Sequence, residues 1–258
     1  MRGYLFRDVG KWFATIFPKS EGFLKAIYRF APSFFQDDPA AFLARYFAGS
    51  RRVNFIQIGA HDGVAGDPVR PNVLANEFWS GTLVEPNPQA FAQLKKNYQG
   101  RQRLQFRCAA VSDRSGVLPF YVFQSPDDGA AIPSWWTEIS SFDQEHVLRY
   151  LPEHYRSSVI TIDVPVLTLS QIVSESENCG LDLIVMDVEG HEPIILQDIG
   201  DNGMRPNVIV FEHIHIPKSS LDQFINEFRS FEYHVKLYGR DAIFFHAFLK
   251  TGFALRSM

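Results

Sequence analysis

Residues 181–188 run Leu181-Asp182-Leu183-Ile184-Val185-Met186-Asp187-Val188, a short and nearly continuous apolar stretch. A strand this apolar has no face to offer to water, so it predicts the centre of a sheet covered on both sides. The rest of the chain agrees. Short β-rich runs at 53–58, 82–84, 104–111, 159–167 and 208–212 alternate with helical patterns at 69–78, 88–98, 168–175, 192–199 and 219–231. That alternation specifies a doubly wound, mostly parallel α/β sheet. Pro88 suits a first helical turn and Thr168 suits an N-cap. A run at 117–123 contains Pro119, which removes a ladder donor and points to an edge position. The last two runs, 233–237 and 242–248, flank Gly239-Arg240-Asp241 and read as a C-terminal antiparallel hairpin.

Ahead of this region, residues 1–50 form a helical N-terminal arm in the sequence pattern. Leu5, Phe6, Val9, Trp12, Phe13, Ile16 and Phe17 recur at helical spacing, accompanied by Arg2, Arg7, Lys11 and Lys19. Such a stripe either covers part of the core or lies in a membrane interface, so peripheral membrane contact through residues 1–30 is one expectation. A later helix near 39–47 has Asp37 and Asp38 as cap candidates. The expected organisation is the arm at 1–50 and one catalytic-type domain at 51–258. Residues 124–158 interrupt the alternation and read as an insert or cap over the site. The insert carries Trp135, Trp136, Phe142 and Tyr150, whose flat faces would suit a sugar ring in an acceptor pocket. A net charge of -4 gives no basic footprint, so nucleic acid is not an expected partner. Two cysteines, Cys108 and Cys179, make neither a disulfide framework nor a Cys-based zinc site, and a cytoplasmic location is the expectation.

In a doubly wound sheet the ligand lies beyond the carboxyl ends of the strands. Five segments bring polar groups there: Gly59-Ala60-His61-Asp62-Gly63, Glu85-Pro86-Asn87, Ala110-Val111-Ser112-Asp113, Asp187-Val188-Glu189-Gly190-His191-Glu192 and Glu212-His213-Ile214-His215. The first loop departs from the dinucleotide fingerprint, since His61 and Val64 stand where glycines would let a pyrophosphate approach. Glu85, 22 residues beyond Gly63, is placed to accept from two ribose hydroxyls. A ribose-bearing ligand without a diphosphate satisfies both observations. S-adenosylmethionine is such a ligand, and a carboxylate-rich rim suits its sulfonium.

Four segments together resemble the FkbM family of S-adenosylmethionine-dependent methyltransferases: residues 55–63, 84–88, 110–112 and 186–192. The resemblance covers about residues 53–248. It implies a Rossmann-like class I methyltransferase fold and O-methylation of a hydroxyl on a sugar, glycan or secondary metabolite. Carried over by position, Gly59, Ala60, Asp62 and Gly63 would line the methionine portion of the cofactor. Glu85 would hold the ribose, Asn87 would lie beside the adenine, Ala110 and Val111 would cover its face, and Asp187 would sit next to the methyl group. Gln57 departs from the acidic residue often found at its position.

Methyl transfer to an alcohol needs an aligned oxygen and a base. Asp187, Glu189, His191, Glu212, His213 and His215 are the candidates. His191 is the leading one, since a helix N-terminus favours its neutral imidazole. The carboxylates would equally serve a hard cation, but no fixed ligand spacing marks a metal site and no metal ligands are assigned. Two other readings remain open at this point. One is a nucleotide-sugar or NAD-dependent oxidoreductase, which His61 and the lack of a Tyr-x-x-x-Lys pair disfavour. The other is a methyltransferase-like module that docks a membrane or partner without catalysis.

Overall fold

A computed structural model describes residues 38–50, 52–126, 132–175 and 180–247. The arm before residue 38, with its membrane-contact expectation, lies outside the described residues. So does the hairpin run beyond residue 247. Among the described residues, no helix is long and apolar enough to cross a membrane.

The main sheet has seven strands. They are β1 (Val53–Ile58), β2 (Trp79–Val84), β3 (Leu104–Arg107), β8 (Leu183–Met186), β9 (Val208–Glu212), β10 (His234–Tyr238) and β11 (Asp241–Phe245). Their order is β10-β11-β9-β8-β1-β2-β3. β1 pairs parallel with both β2 and β8, β8 pairs parallel with β9, and only the terminal hairpin runs antiparallel. The doubly wound sheet with a reversed C-terminal hairpin is therefore the observed architecture. The strand order reverses at β1, which sits between β2 and β8, so the switch point lies beyond Ile58 and Met186.

The near-continuous apolar runs follow from coverage on both faces. Ile56, Ile58, Ile184, Met186, Ile209 and Phe211 pack to one side, with helices α5 (Leu169–Glu175), α6 (Glu192–Asp201) and α7 (Lys218–Ser230). Val53, Phe55, Leu183, Val185 and Val210 pack to the other, with α1 (Pro39–Tyr46), α2 (Arg70–Ala75) and α3 (Pro88–Asn97). Successive strand side chains point to opposite faces, so a strand buried on both must be apolar at nearly every position. Helix starts follow local chemistry. The Asp38 side chain accepts from Ala40 N at 2.7 Å. The Thr168 hydroxyl accepts from Gln171 N at 3.2 Å, and Gln171 Oε1 accepts from Thr168 N at 2.9 Å, a reciprocal capping box.

Two expectations need correction. The run at 104–111 is not one strand: β3 ends at Arg107, and β4 (Ala110–Val111) joins a second sheet with β5 (Gly116–Phe123), β6 (Ser140–Ser141) and β7 (Val159–Leu167), in the order β4-β7-β5-β6. The second correction concerns β5 (Gly116–Phe123). It lies between β7 (Val159–Leu167) and β6 (Ser140–Ser141), so it is not an edge strand along its whole length. The β6 ladder reaches only Tyr121 and Val122, which leaves the flank at Pro119 open. A missing N–H is tolerated there. Residues 134–158 form a separate layer. It contains the short helix α4 (Gln144–Arg149), and Trp136, Ile139, Val147 and Leu151 pack with Phe123 in a satellite core.

Candidate active site

The loop leaving β1 is shaped by two glycines at positive φ. An added Cβ at Gly59 (φ 73°) would stand 1.9 Å from the Asp187 carbonyl oxygen. One at Gly63 (φ 69°) would meet Tyr98 and Leu94. Both glycines thus serve close backbone approach: the first brings the end of β1 against the end of β8, the second seats the loop on α3. Gly59→Ala should cost about 2–5 kcal/mol, combining left-handed strain with a forced backbone shift. Gly66→Ala, at φ 67° with open space around it, should cost only the strain. Thermal unfolding of the two variants compares them, and equal melting temperatures would remove the close-approach argument.

Asp62 holds the loop by accepting from Val64 N and Ala65 N. Burial opposes its charge, but those N–H donors and His61 outweigh it and lower its pKa. Ala60 is buried, and its N–H donates to the Val84 carbonyl at 3.0 Å, which ties the loop to the end of β2. Gln57 is 4% exposed, and its Oε1 is a buried acceptor without a partner.

Glu85 follows β2. It is 5% exposed and accepts from His61 N at 2.8 Å and Asn87 N at 2.7 Å, one bond on each oxygen. Burial raises its pKa against these donors and the His61 imidazole. A carboxylate has about four lone-pair sites, so two remain for outside donors. The Asn87 side chain is committed elsewhere, accepting from Gln89 N as the N-cap of α3. Ala110 and Val111 are buried in β4, each with its own core partners.

Beyond β8 the backbone turns through Glu189 (φ 51°) and Gly190 (φ 98°). Glu192 is fully buried and accepts from Val188 N and Gly190 N, both at 3.0 Å. Burial nevertheless pushes it up to about 7. Asp187 is open to solvent. Its carboxyl is still raised well above the ordinary range, by enclosure among protein atoms and then by repulsion from Glu212, Glu189, Glu192 and Asp241. An exposed acid crowded by four others at the strand ends is the electrostatic complement of a cationic ligand.

His191 is engaged by other groups. Its Nε2 lies 3.0 Å from Ser112 Oγ, its ring packs on Phe142, and burial lowers its pKa. Glu189, Glu212 and His215 instead converge beside Asp187. Burial works to raise Glu189, but the imidazoles of His146 and His215 outweigh it and hold the carboxyl at about 2. Glu212 Oε1 meets Arg240 Nε at 2.7 Å. Burial raises the Glu212 carboxyl, while Arg240 acts in the opposite sense. His213 is set back; its N–H donates to the Arg240 carbonyl and its buried Nε2 has no partner. Two participants carry no signal in the sequence: His146 from the insert and Arg240 from the hairpin turn. Ser141 Oγ also donates to the Glu189 carbonyl at 3.3 Å. His146 shares the buried side of α4 with Val147.

The sequence model of one family, the methyltransferase FkbM domain, matches residues 57–235. The chain belongs to that family. The family is one of methyltransferase domains, and membership implies S-adenosylmethionine as the cofactor of residues 57–235. A search of curated proteins finds no match to the chain. Among solved structures, it is similar to a Methanococcus jannaschii fibrillarin pre-rRNA processing protein at 11% identity, over 75% of this chain and 65% of that one, with a TM-score of 0.38. Against a METTL16 methyltransferase domain the figures are 12%, 81%, 66% and 0.43. For precorrin-6y C5,15-methyltransferase from Geobacter metallireducens they are 10%, 81%, 87% and 0.39. The chain spans just under two thirds of the length of the first two.

The residues present fit the cofactor at three points. Glu85 retains acceptor capacity for a ribose diol, the unpartnered Gln57 Oε1 suits an ammonium donor, and the cluster of acids around Asp187 suits a sulfonium.

Proposed function

We propose that this FkbM-family domain methylates a hydroxyl group on a sugar, glycan or secondary metabolite. The observation that carries the reading is the open Asp187 carboxylate at the switch point, flanked by Glu85 on one side and the insert on the other. When bound, S-adenosylmethionine supplies a methyl group on a sulfonium. Glu85 accepts hydrogen bonds from the ribose, and the loop at Gly59, Ala60, Asp62 and Gly63 shapes the methionine end. Asn87 steadies the start of α3 beside the adenine, while Ala110 and Val111, packed in their own cores, support β4 behind that side of the site. Asp187 orients the acceptor hydroxyl and takes its proton, since it is exposed where Glu85, Glu192 and Glu212 are buried. His191, tied to Ser112, positions the turn instead. Glu189, Glu212 and His213 close the opposite wall. The insert, reaching the rim through Ser141, Phe142, His146 and Tyr150, bounds the acceptor side.

Glu85→Ala should weaken binding of S-adenosylhomocysteine by about 1.5–3 kcal/mol, or roughly 10–150-fold, by titration calorimetry. The ionised carboxylate is the acceptor, so wild-type affinity should fall as acid protonates Glu85. Because its pKa is raised, the fall begins above the ordinary carboxylate range, and Glu85→Gln should remove it. An affinity insensitive to either change would move the ribose elsewhere. Incubation with labelled S-adenosylmethionine and a panel of sugar, glycan and phenolic acceptors tests the reaction. Label appearing on nitrogen or carbon acceptors alone would overturn O-methylation.

A further inference from the structure

The wall opposite His191 is assembled from three separate parts of the chain. Glu189 Oε2 lies 2.9 Å from His146 Nε2 and 3.3 Å from His215 Nε2, and His215 Nε2 lies 3.2 Å from Glu212 Oε2. The ligand atoms of His146, Glu189 and His215 all fall within 4.8 Å of one another. Atoms bound about 2.0–2.2 Å from a shared ion stand about 2.8–3.1 Å apart along an octahedral edge and about 3.3–3.6 Å apart along a tetrahedral one. The three close separations fall within the range those edges span.

A second observation is independent of the spacing. His215 Nε2 and Glu212 Oε2 are buried polar atoms that make no well-aligned hydrogen bond, although His215 Nε2 lies within 3.3 Å of both Glu189 Oε2 and Glu212 Oε2. Glu212 is 6% exposed, and its second oxygen is already engaged by Arg240. Buried side-chain atoms of this kind are nearly always hydrogen-bonded. Atoms that crowd together out of hydrogen-bonding line are arranged as they would be if their lone pairs met at one point. The rings are also held in place: His146 and His215 pack edge-on at 4.7 Å, and Tyr150 lies 5.3 Å from His146 and 6.2 Å from His215.

We propose that His146, Glu189 and His215, with Glu212 beside them, bind one divalent transition-metal ion. Two imidazoles and two carboxylates favour ions such as Zn²⁺, Fe²⁺, Co²⁺ or Mn²⁺ over Mg²⁺ and Ca²⁺, which take oxygen shells. The insert then acts as more than a cover, because His146 delivers a ligand to the rim. An ion beside Asp187 supplies a Lewis acid that lowers the pKa of an acceptor hydroxyl. This role rests on the O-methylation reading; the binding itself does not.

The test uses tag-free full-length protein stripped with a chelator and titrated with Co²⁺ alone. One equivalent should bind, with a visible d–d absorption that millimolar Mg²⁺ leaves unchanged. His146→Ala and His215→Ala should each weaken binding by more than the roughly 10–100-fold that loss of an outer partner costs. S-adenosylhomocysteine binding, measured on the same preparations, reports the fold and the cofactor reading separately. Wild-type protein that takes up Co²⁺ but not the cofactor product would sink the methyltransferase site and leave the metal site standing. If the variants fail to fold, X-ray absorption of Zn²⁺-loaded wild type decides: two imidazoles support the site, and an all-oxygen shell overturns it. Absence of saturable one-equivalent binding, or unaltered affinity in both variants, also overturns it.

Discussion

Asp187→Asn should lower kcat about 10²–10⁴-fold, the range that loss of a general base produces. Asparagine keeps the size of the side chain and removes its ability to take a proton. The fold should survive, because Asp187 is an exposed residue outside the core clusters and asparagine is nearly its isostere. Binding of S-adenosylhomocysteine should change far less than turnover. The wild-type pH–rate profile should carry an acid limb above the ordinary carboxylate range, since enclosure and four neighbouring acids raise this group. Rate then rises with pH as the carboxyl ionises. His191→Ala is the matching comparison. It removes the contact with Ser112 and should reduce kcat by much less. If His191→Ala is the more damaging of the two, the proton passes through the imidazole and the sequence-based preference for His191 is restored.

Trp136→Ala should destabilise the protein by about 3–5 kcal/mol, the usual scale for truncating a buried tryptophan. Its ring packs edge-on against Phe123 at 5.7 Å and lies 5.1 Å from Tyr155. Only 8% of the residue is exposed. Trp135, its neighbour, is 46% exposed, and Trp135→Ala should cost little stability. Urea unfolding separates the two. Comparable losses would mean that the satellite core around Phe123, Ile139, Val147 and Leu151 does not hold the insert. The pair therefore does not act together as a stacking platform: Trp136 builds the layer, and only Trp135 is free to meet an acceptor.

The difference between these residues shows where sequence reading ends. Two adjacent tryptophans in an irregular segment carry no periodicity that says which points inward. In the sheet the reverse holds. β9 at Val208–Glu212 and the segment Val159–Leu167 coincide with the runs read from the sequence, because burial on a strand leaves an alternating or continuous apolar trace. Helix starts at Asp38 and Thr168 were legible for a related reason: a cap is made within three residues of the group it satisfies.

The split of 104–111 between two sheets had no such trace. Leu104–Arg107 and Ala110–Val111 are both compatible with a strand, and only partners distant in the chain assign one to Val84 and the other to Val166. The site divides along the same line. Glu85, Asp187, Glu189 and Glu212 were readable because strand ends are readable, and the ligand edge of a doubly wound sheet follows from topology. His146 was not, since its contact with Glu189 spans 43 residues and depends on the insert folding back over the rim. His191 was correctly placed at a helix start, yet its direction was set by Ser112 and Phe142. The sheet, its covered faces and the row of acids along one edge are written in local pattern. Tertiary structure alone decided which imidazoles meet which acids, because a side chain's partner across 40 residues is chosen by the path of the chain between them.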